Sequence, residues 1–168
     1  MRVLVTAASR HGSTREIAAV IEQELQTMNF ECDLKEPRDV ESVEGYDAVI
    51  VGSAIYVGQW LGEARDLIER VGPAMKERKV WLFSSGLADT PSKDANNTPA
   101  LLARMKATGA LGHRHFPGKL DVLQLSLAER AAIMAARGKY GDSRDMAAVR
   151  DWARSIGESI LDQRTISA

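Results

Sequence analysis

The chain has 168 residues, 27% of them charged, and a formal net charge of −1, so it is long enough for one domain with a substantial core. That charge balance removes electrostatic attraction to nucleic acid or to an anionic membrane as the default expectation. No apolar run approaches the roughly 20 residues that span a bilayer, and the single cysteine, Cys32, excludes an intrachain disulfide or a thiolate metal cluster. Met1-Arg2 passes straight into an apolar run without a signal-peptide core, so the expectation is a cytoplasmic protein, at most peripheral to a membrane.

Short apolar runs then alternate with helical periodicity. Val3-Leu4-Val5 is short enough for a buried strand, and Ile17, Val20, Ile21, Leu25 and Met28 recur at intervals of three and four, the stripe of a helix facing a sheet. Phe30, Cys32 and Leu34 alternate with Glu31 and Asp33, which predicts a half-buried strand near a sheet edge. Residues 36–44 read as a turn. Ala48-Val49-Ile50-Val51 is continuous in apolar residues, as a strand covered on both faces should be, and is expected to end at Gly52-Ser53. A loop over 53–60 leads to a helix carrying Leu61, Ala64, Ile68, Val71 and Met75, bent or ended by Gly72-Pro73.

Val80-Trp81-Leu82-Phe83 is a fourth strand, followed by a loop over 84–91, a linker over 92–98 and a short helix from Pro99 to Ala107 with proline near its first turn. A fifth strand is placed at 111–116. Ser126-Leu127-Ala128-Glu129 fits a capping box opening a helix to about Arg137. Glycine-punctuated polar residues at 138–143 break the chain before a last helix, 144–161, with Val149, Trp152, Ala153, Ile156 and Ile160 inward. The organisation is one domain over 1–168 with an insertion at about 118–143.

Five such βα units predict a three-layer α/β sandwich, a five-stranded parallel sheet of order 2-1-3-4-5 with helices on both faces and right-handed crossovers. Ligands of such sheets bind beyond the carboxyl ends of the strands at the switch in strand order, here between the first and third strands. Three loops meet there. The first, Ser9-Arg10-His11-Gly12-Ser13-Thr14, opens a helix, whose unpaired N–H groups and positive dipole end stabilise an anion such as phosphate. Two uses of these residues stay open, because Ser13-Thr14-Arg15-Glu16 also fits a plain capping box. The loop lacks the spaced glycines of a dinucleotide fingerprint and the Gly-Lys-Ser/Thr of a P-loop, so neither NAD nor a nucleoside triphosphate is indicated. The second loop offers Tyr56, Gly58 and Trp60, and the third Ser84, Ser85 and Gly86. A phosphate on the first loop and a planar ring between the other two describe FMN.

The segment Gly12-Ser13-Thr14-Arg15-Glu16-Ile17-Ala18 resembles the phosphate loop and helix start of flavodoxins. Gly52-Ser53-Ala54-Ile55-Tyr56-Val57-Gly58, with Trp60 two places on, more narrowly resembles the quinone-dependent protoporphyrinogen oxidases of the flavodoxin superfamily. The similarity covers most of 1–86 and returns at Gly141-Asp142-Ser143-Arg144-Asp145 and Asp151-Trp152-Ala153. The resemblance implies that Ser9, Arg10, Gly12, Ser13 and Thr14 hold the FMN phosphate, while His11 in the same loop reads either as a further phosphate donor or as a plain exposed histidine. It implies further that Ala54, Ile55, Tyr56, Val57 and Gly58 lie on one side of the ring system, with Ser84, Ser85, Gly86 and Leu87 on the other; Trp60, by its place at the switch point, is a further cofactor candidate, with covering the sheet edge as its other reading. Two departures stand out: Gly86 and Leu87 occupy the place where flavodoxins often stack an aromatic, and 118–143 lacks the strongly basic, aromatic insertion of the membrane-associated oxidases.

Three functions compete on these residues. One is an FMN enzyme that takes reducing equivalents from a small organic substrate such as a porphyrinogen, in haem biosynthesis, and passes them to an acceptor such as a quinone. A flavodoxin-like electron carrier is the second, and a flavin-free interaction domain of the same fold is the third. No acid or base is identified, and homo-oligomerisation stays open. His113 and His115 share one strand face without an acidic or cysteine partner at ligand spacing, so no metal is expected. Arg114, Lys119, Arg130, Arg137, Lys139 and Arg144 read as a solvated surface, unless the insertion brings them to the flavin mouth.

Overall fold

The computed structural model describes residues 1–86, 98–120, 126–135, 141–142 and 144–166. Their elements, in order, are β1 (Arg2–Ala8), α1 (Ser13–Thr27), β2 (Glu31–Lys35), a single 3-10 turn (Pro37–Asp39), β3 (Ala48–Tyr56), β4 (Gln59–Trp60), α2 (Gly62–Met75), β5 (Lys79–Gly86), α3 (Pro99–Thr108), β6 (Gly112–Pro117), β7 (Lys119–Leu120), α4 (Leu127–Ala135), β8 (Gly141–Asp142) and α5 (Met146–Ile166). The sheet order is β2-β1-β3-β5-β6, parallel throughout, with β4 paired antiparallel to β3. This is the expected 2-1-3-4-5 arrangement, renumbered by the short β4.

Apolar residues on alternate positions of each strand divide the core in two. Val3, Val5 and Ile50 pack with Ile17, Ile21 and Leu25 of α1 and Val149, Ile156 and Ile160 of α5. On the other face Leu4, Val49, Val51 and Leu82 pack with Ala64, Leu67, Val71 and Met75 of α2 and Leu101 of α3. Both faces of the central strands are thereby covered, which is why β3 and β5 read as unbroken apolar runs.

Two strands outrun their apolar stretches. β3 continues through Gly52-Ser53 to Tyr56, and β5 through Ser84 and Ser85 to Gly86, where a loop was expected. Ladder pairing carries them on, Ser53 facing Ser84 and Ser84 facing His115, so the strand rests on its neighbours rather than on local propensity. α2 keeps Pro73 in its last turn and ends at Met75, and Thr98 caps α3 by accepting the Leu101 N–H. The insertion is tied by β7 and β8, an antiparallel pair not anticipated from its composition. The linker at 92–97, Leu87, Arg137 and Lys139 lie outside the described residues.

Candidate functional site

At the end of β1 the chain enters 9–14. Gly12 adopts φ +87°, a left-handed conformation cheap only for glycine, and sits at the N-cap of α1 with no side chain capping the helix. Ser13 is therefore the first helical residue. The capping box at Ser13 and Glu16 does not form. Glu16 gives its backbone N–H to Gly12 O at 3.0 Å, while its carboxylate is drawn off by the Arg144 guanidinium just before α5. No side chain at the N-cap position therefore caps α1. Thr14 is 2% exposed, and beyond its chain neighbours no described atom stands within 4 Å of where a Cβ on Gly12 would be.

The second loop is a hairpin rather than an irregular segment. Ile55 pairs with Trp60 and Tyr56 with Gln59, and the turn between them has φ +50° at Val57 and +71° at Gly58. Two successive positive φ values match the twist of a tight hairpin, but a β-branched residue adopts one only under strain. Val57 bears that strain at the exposed tip. The hairpin is anchored by Ser53, whose hydroxyl accepts the Leu61 N–H at 3.0 Å and donates to Ala54 O at 2.8 Å. Across the mouth the Arg10 guanidinium lies 4.3 Å from the centroid of the Tyr56 ring, so the first two loops touch.

Trp60 points the other way. It is 3% exposed, covered by the Arg104 guanidinium at 4.8 Å, and its indole N–H donates to Ser84 Oγ at 2.8 Å. Trp60 and Ser84 therefore build the floor where the second and third loops join. Ser84 Oγ is also 2.8 Å from His113 Nε2. The indole N–H can only donate, so Ser84 Oγ accepts from Trp60, while the direction of its bond with His113 follows the imidazole tautomer. Ser85 and Gly86 are buried as well. The Gly118 N–H donates to Gly86 O at 2.6 Å, which leaves no room for a Cβ at Gly118 and roots the insertion beside the third loop.

Burial pushes His113 down to about 4, helped by His115 and Arg104 nearby, and burial lowers His115 too. Among the described residues neither His115 ring nitrogen has a hydrogen-bond partner, and its Cε1 lies 3.1 Å from where a Cβ on Gly86 would be. The fold holds both rings neutral. Its stability should therefore be complete above the ordinary histidine value of 6.5 and decline as pH falls from there towards about 4, because the unfolded chain then binds more protons. Thermal melts at pH 7 and pH 5 should show a lower midpoint at pH 5, and the drop should shrink in His113→Gln. An undiminished drop in that variant would remove His113 as its source.

A fourth component comes from the insertion. Ser126 and Glu129 form the expected capping box, Ser126 N–H to Glu129 Oε2 at 2.8 Å and Glu129 N–H to Ser126 Oγ at 3.2 Å. The same carboxylate, 3% exposed, is ion-paired with Arg10 and lies 3.2 Å from His11 Nε2. Its cap was legible in the sequence. Its ion pairs, made across the fold, were not.

The structure thus gathers Ser9 to Thr14 and Ala54 to Gly58 around one mouth, with Trp60, Ser84, Ser85 and Gly86 beneath. Leu87 lies outside the described residues. Among the described residues no three His, Cys, Asp or Glu side chains are placed to hold a metal ion, and no helix is long and apolar enough to cross a membrane.

The chain is 26% identical over 101 residues to the protoporphyrinogen IX dehydrogenase [quinone] of Escherichia coli K12, a match covering 58% of this chain and 56% of that protein. It therefore spans little more than half the length of that relative. Among solved structures it is similar to a flavodoxin of Streptococcus pneumoniae TIGR4, with TM-score 0.56 and 19% identity over 82% of this chain and 99% of that one. It is also similar to the rubredoxin oxygen:oxidoreductase of Desulfovibrio gigas, with TM-score 0.65 and 13% identity over 96% of this chain and 36% of that one. The flavodoxin domain family model matches residues 4–146, from the first strand to the start of the last helix and through all three loops of the mouth. The chain belongs to the flavodoxin domain family.

Proposed function

We propose that the chain binds FMN and uses it to take reducing equivalents from a small organic substrate of the porphyrinogen class, with a quinone as acceptor. The observation that carries this reading is the meeting of a glycine-led helix N-terminus with an aromatic hairpin across the β1/β3 switch, joined by Arg10 on Tyr56. Anion donors and a wall for a planar ring stand side by side, which is what a flavin phosphate monoester requires.

The residues fit the group. Ser9, Ser13, Thr14 and the first N–H groups of α1 would hold the phosphate, with Arg10 and His11 at its edge, and the open space at Gly12 lets a phosphate approach the backbone. Ala54, Ile55, Tyr56, Val57 and Gly58 would flank one side of the ring system, and Ser84, Ser85 and Gly86 the other. Bound there, the flavin supplies the one- and two-electron chemistry. The chain's own part is to position it, exclude water from its inner edge with the Trp60–Ser84–His113 layer, and keep the two histidines uncharged beside it.

The likeness to a small flavodoxin, of which the match covers 99%, favours an electron carrier as the second reading. Anaerobic mixing of the FMN-loaded protein with protoporphyrinogen IX separates the two. Bleaching of the oxidised flavin band together with growth of porphyrin absorption is the expected result. A flavin bleached by dithionite but untouched by the porphyrinogen would remove that substrate and leave the carrier.

A further inference from the structure

Glu129 brings a carboxylate to the loop where, on the reading above, a phosphate is to be held. Arg10 is pinned on two sides, by the Glu129 carboxylate and by the Tyr56 ring, and His11 meets the same Oε1. A carboxylate 3% exposed is screened less than a surface one, and it faces the half-exposed Arg10 guanidinium directly. Capping alone does not account for it. The α4 cap uses Oε2 with the Ser126 N–H, whereas Oε1 is turned to a loop more than a hundred residues away in sequence. That N–H, with Arg10 and His11, holds the carboxyl below the usual carboxylate range, so the charge is present at neutral pH.

We propose that Glu129 is a positioning residue that competes with a phosphate monoester for Arg10 and His11, so that docking of the insertion helix and the grip of the loop on phosphate oppose each other. With Glu129 in place the Arg10 guanidinium is already ion-paired and His11 Nε2 already has a partner, so an arriving dianion meets a carboxylate across them. Linkage makes the effect mutual: whatever Glu129 costs the phosphate, the phosphate costs the contact between α4 and the loop. Filling the site therefore loosens α4. The ligand's identity as FMN rests on the function proposed above, but the competition applies to any phosphate.

Glu129→Gln keeps an oxygen for the Ser126 N–H and removes the charge. Wild type and variant are titrated calorimetrically with FMN, riboflavin and inorganic phosphate. FMN should bind the variant about tenfold or more tightly, the gain that ~1.4 kcal/mol of relieved repulsion gives, with riboflavin unchanged. Ser126→Ala, which disturbs the cap but not the charge, should leave the ratio of FMN to riboflavin affinity as in wild type. An unchanged or lower ratio in Glu129→Gln, or an equal rise in Ser126→Ala, overturns the proposal. If neither protein takes up FMN or riboflavin, the flavin reading falls, and inorganic phosphate decides: tighter binding to Glu129→Gln supports the competition and equal binding overturns it. In wild type, amide exchange over 127–135 should quicken when the phosphate-bearing ligand binds, and slowed or unchanged exchange would contradict the competition.

Discussion

Gly52→Ala is expected to lower the melting temperature by roughly 5–10 °C, the effect of about 2–3 kcal/mol on a chain of this length. A Cβ at Gly52 would stand 2.1 Å from Cζ of Phe83 and 2.3–2.4 Å from both Cε atoms, far inside van der Waals contact. The ring has nowhere to go. Phe83 is fully buried and meets Phe116 and Trp152 edge-on, with centroids 6.2 and 6.0 Å away, and those two rings stand 5.5 Å apart. Moving Phe83 would disturb the junction of β3, β5, β6 and α5 directly under the hairpin and the third loop. Phe83→Leu in the Gly52→Ala background should recover part of the loss, since a smaller side chain can yield to the new methyl group. A melting temperature of Gly52→Ala within a degree of wild type would mean that the ring is not held as described.

Most of the fold was legible because its elements are built from strong local periods. The stripe Ile17, Ile21 and Leu25 is fully buried, the alternation of Cys32 and Leu34 lies on the edge strand, and the unbroken runs at 48–51 and 80–83 are the two central strands. What escaped was decided by partners distant in the chain. Ser53, Ser84 and Ser85 have little strand propensity, yet ladder pairing extends β3 and β5 through them. Ser13 and Glu16 satisfy a local capping pattern, but Gly12 in the left-handed region takes the cap and Arg144 takes the glutamate. The meeting of loops that forms the candidate site was legible to the same depth. Its loops followed from topology, whereas the inward turn of Trp60 onto Ser84 and the reach of Glu129 to Arg10 depend on side-chain contacts that no spacing rule encodes.

The largest functional effect expected is the difference between FMN and riboflavin. The two ligands share their ring system and differ in the phosphate, so the hairpin and the third loop treat them alike while 9–14 sees only one of them. Charge-assisted hydrogen bonds to the phosphate are worth about 1.5–3 kcal/mol each, and two of them, even after the opposition of Glu129, should separate the affinities by at least about tenfold. The decisive measurement is titration of flavin-free protein with FMN, followed by quenching of flavin fluorescence, with riboflavin run in parallel. Saturation at one FMN per chain, at least tenfold tighter than riboflavin, is the expected result. No saturable quenching by FMN at micromolar protein, or equal affinity for the two flavins, would contradict the assignment of the helix N-terminus and its aromatic neighbour as an FMN site.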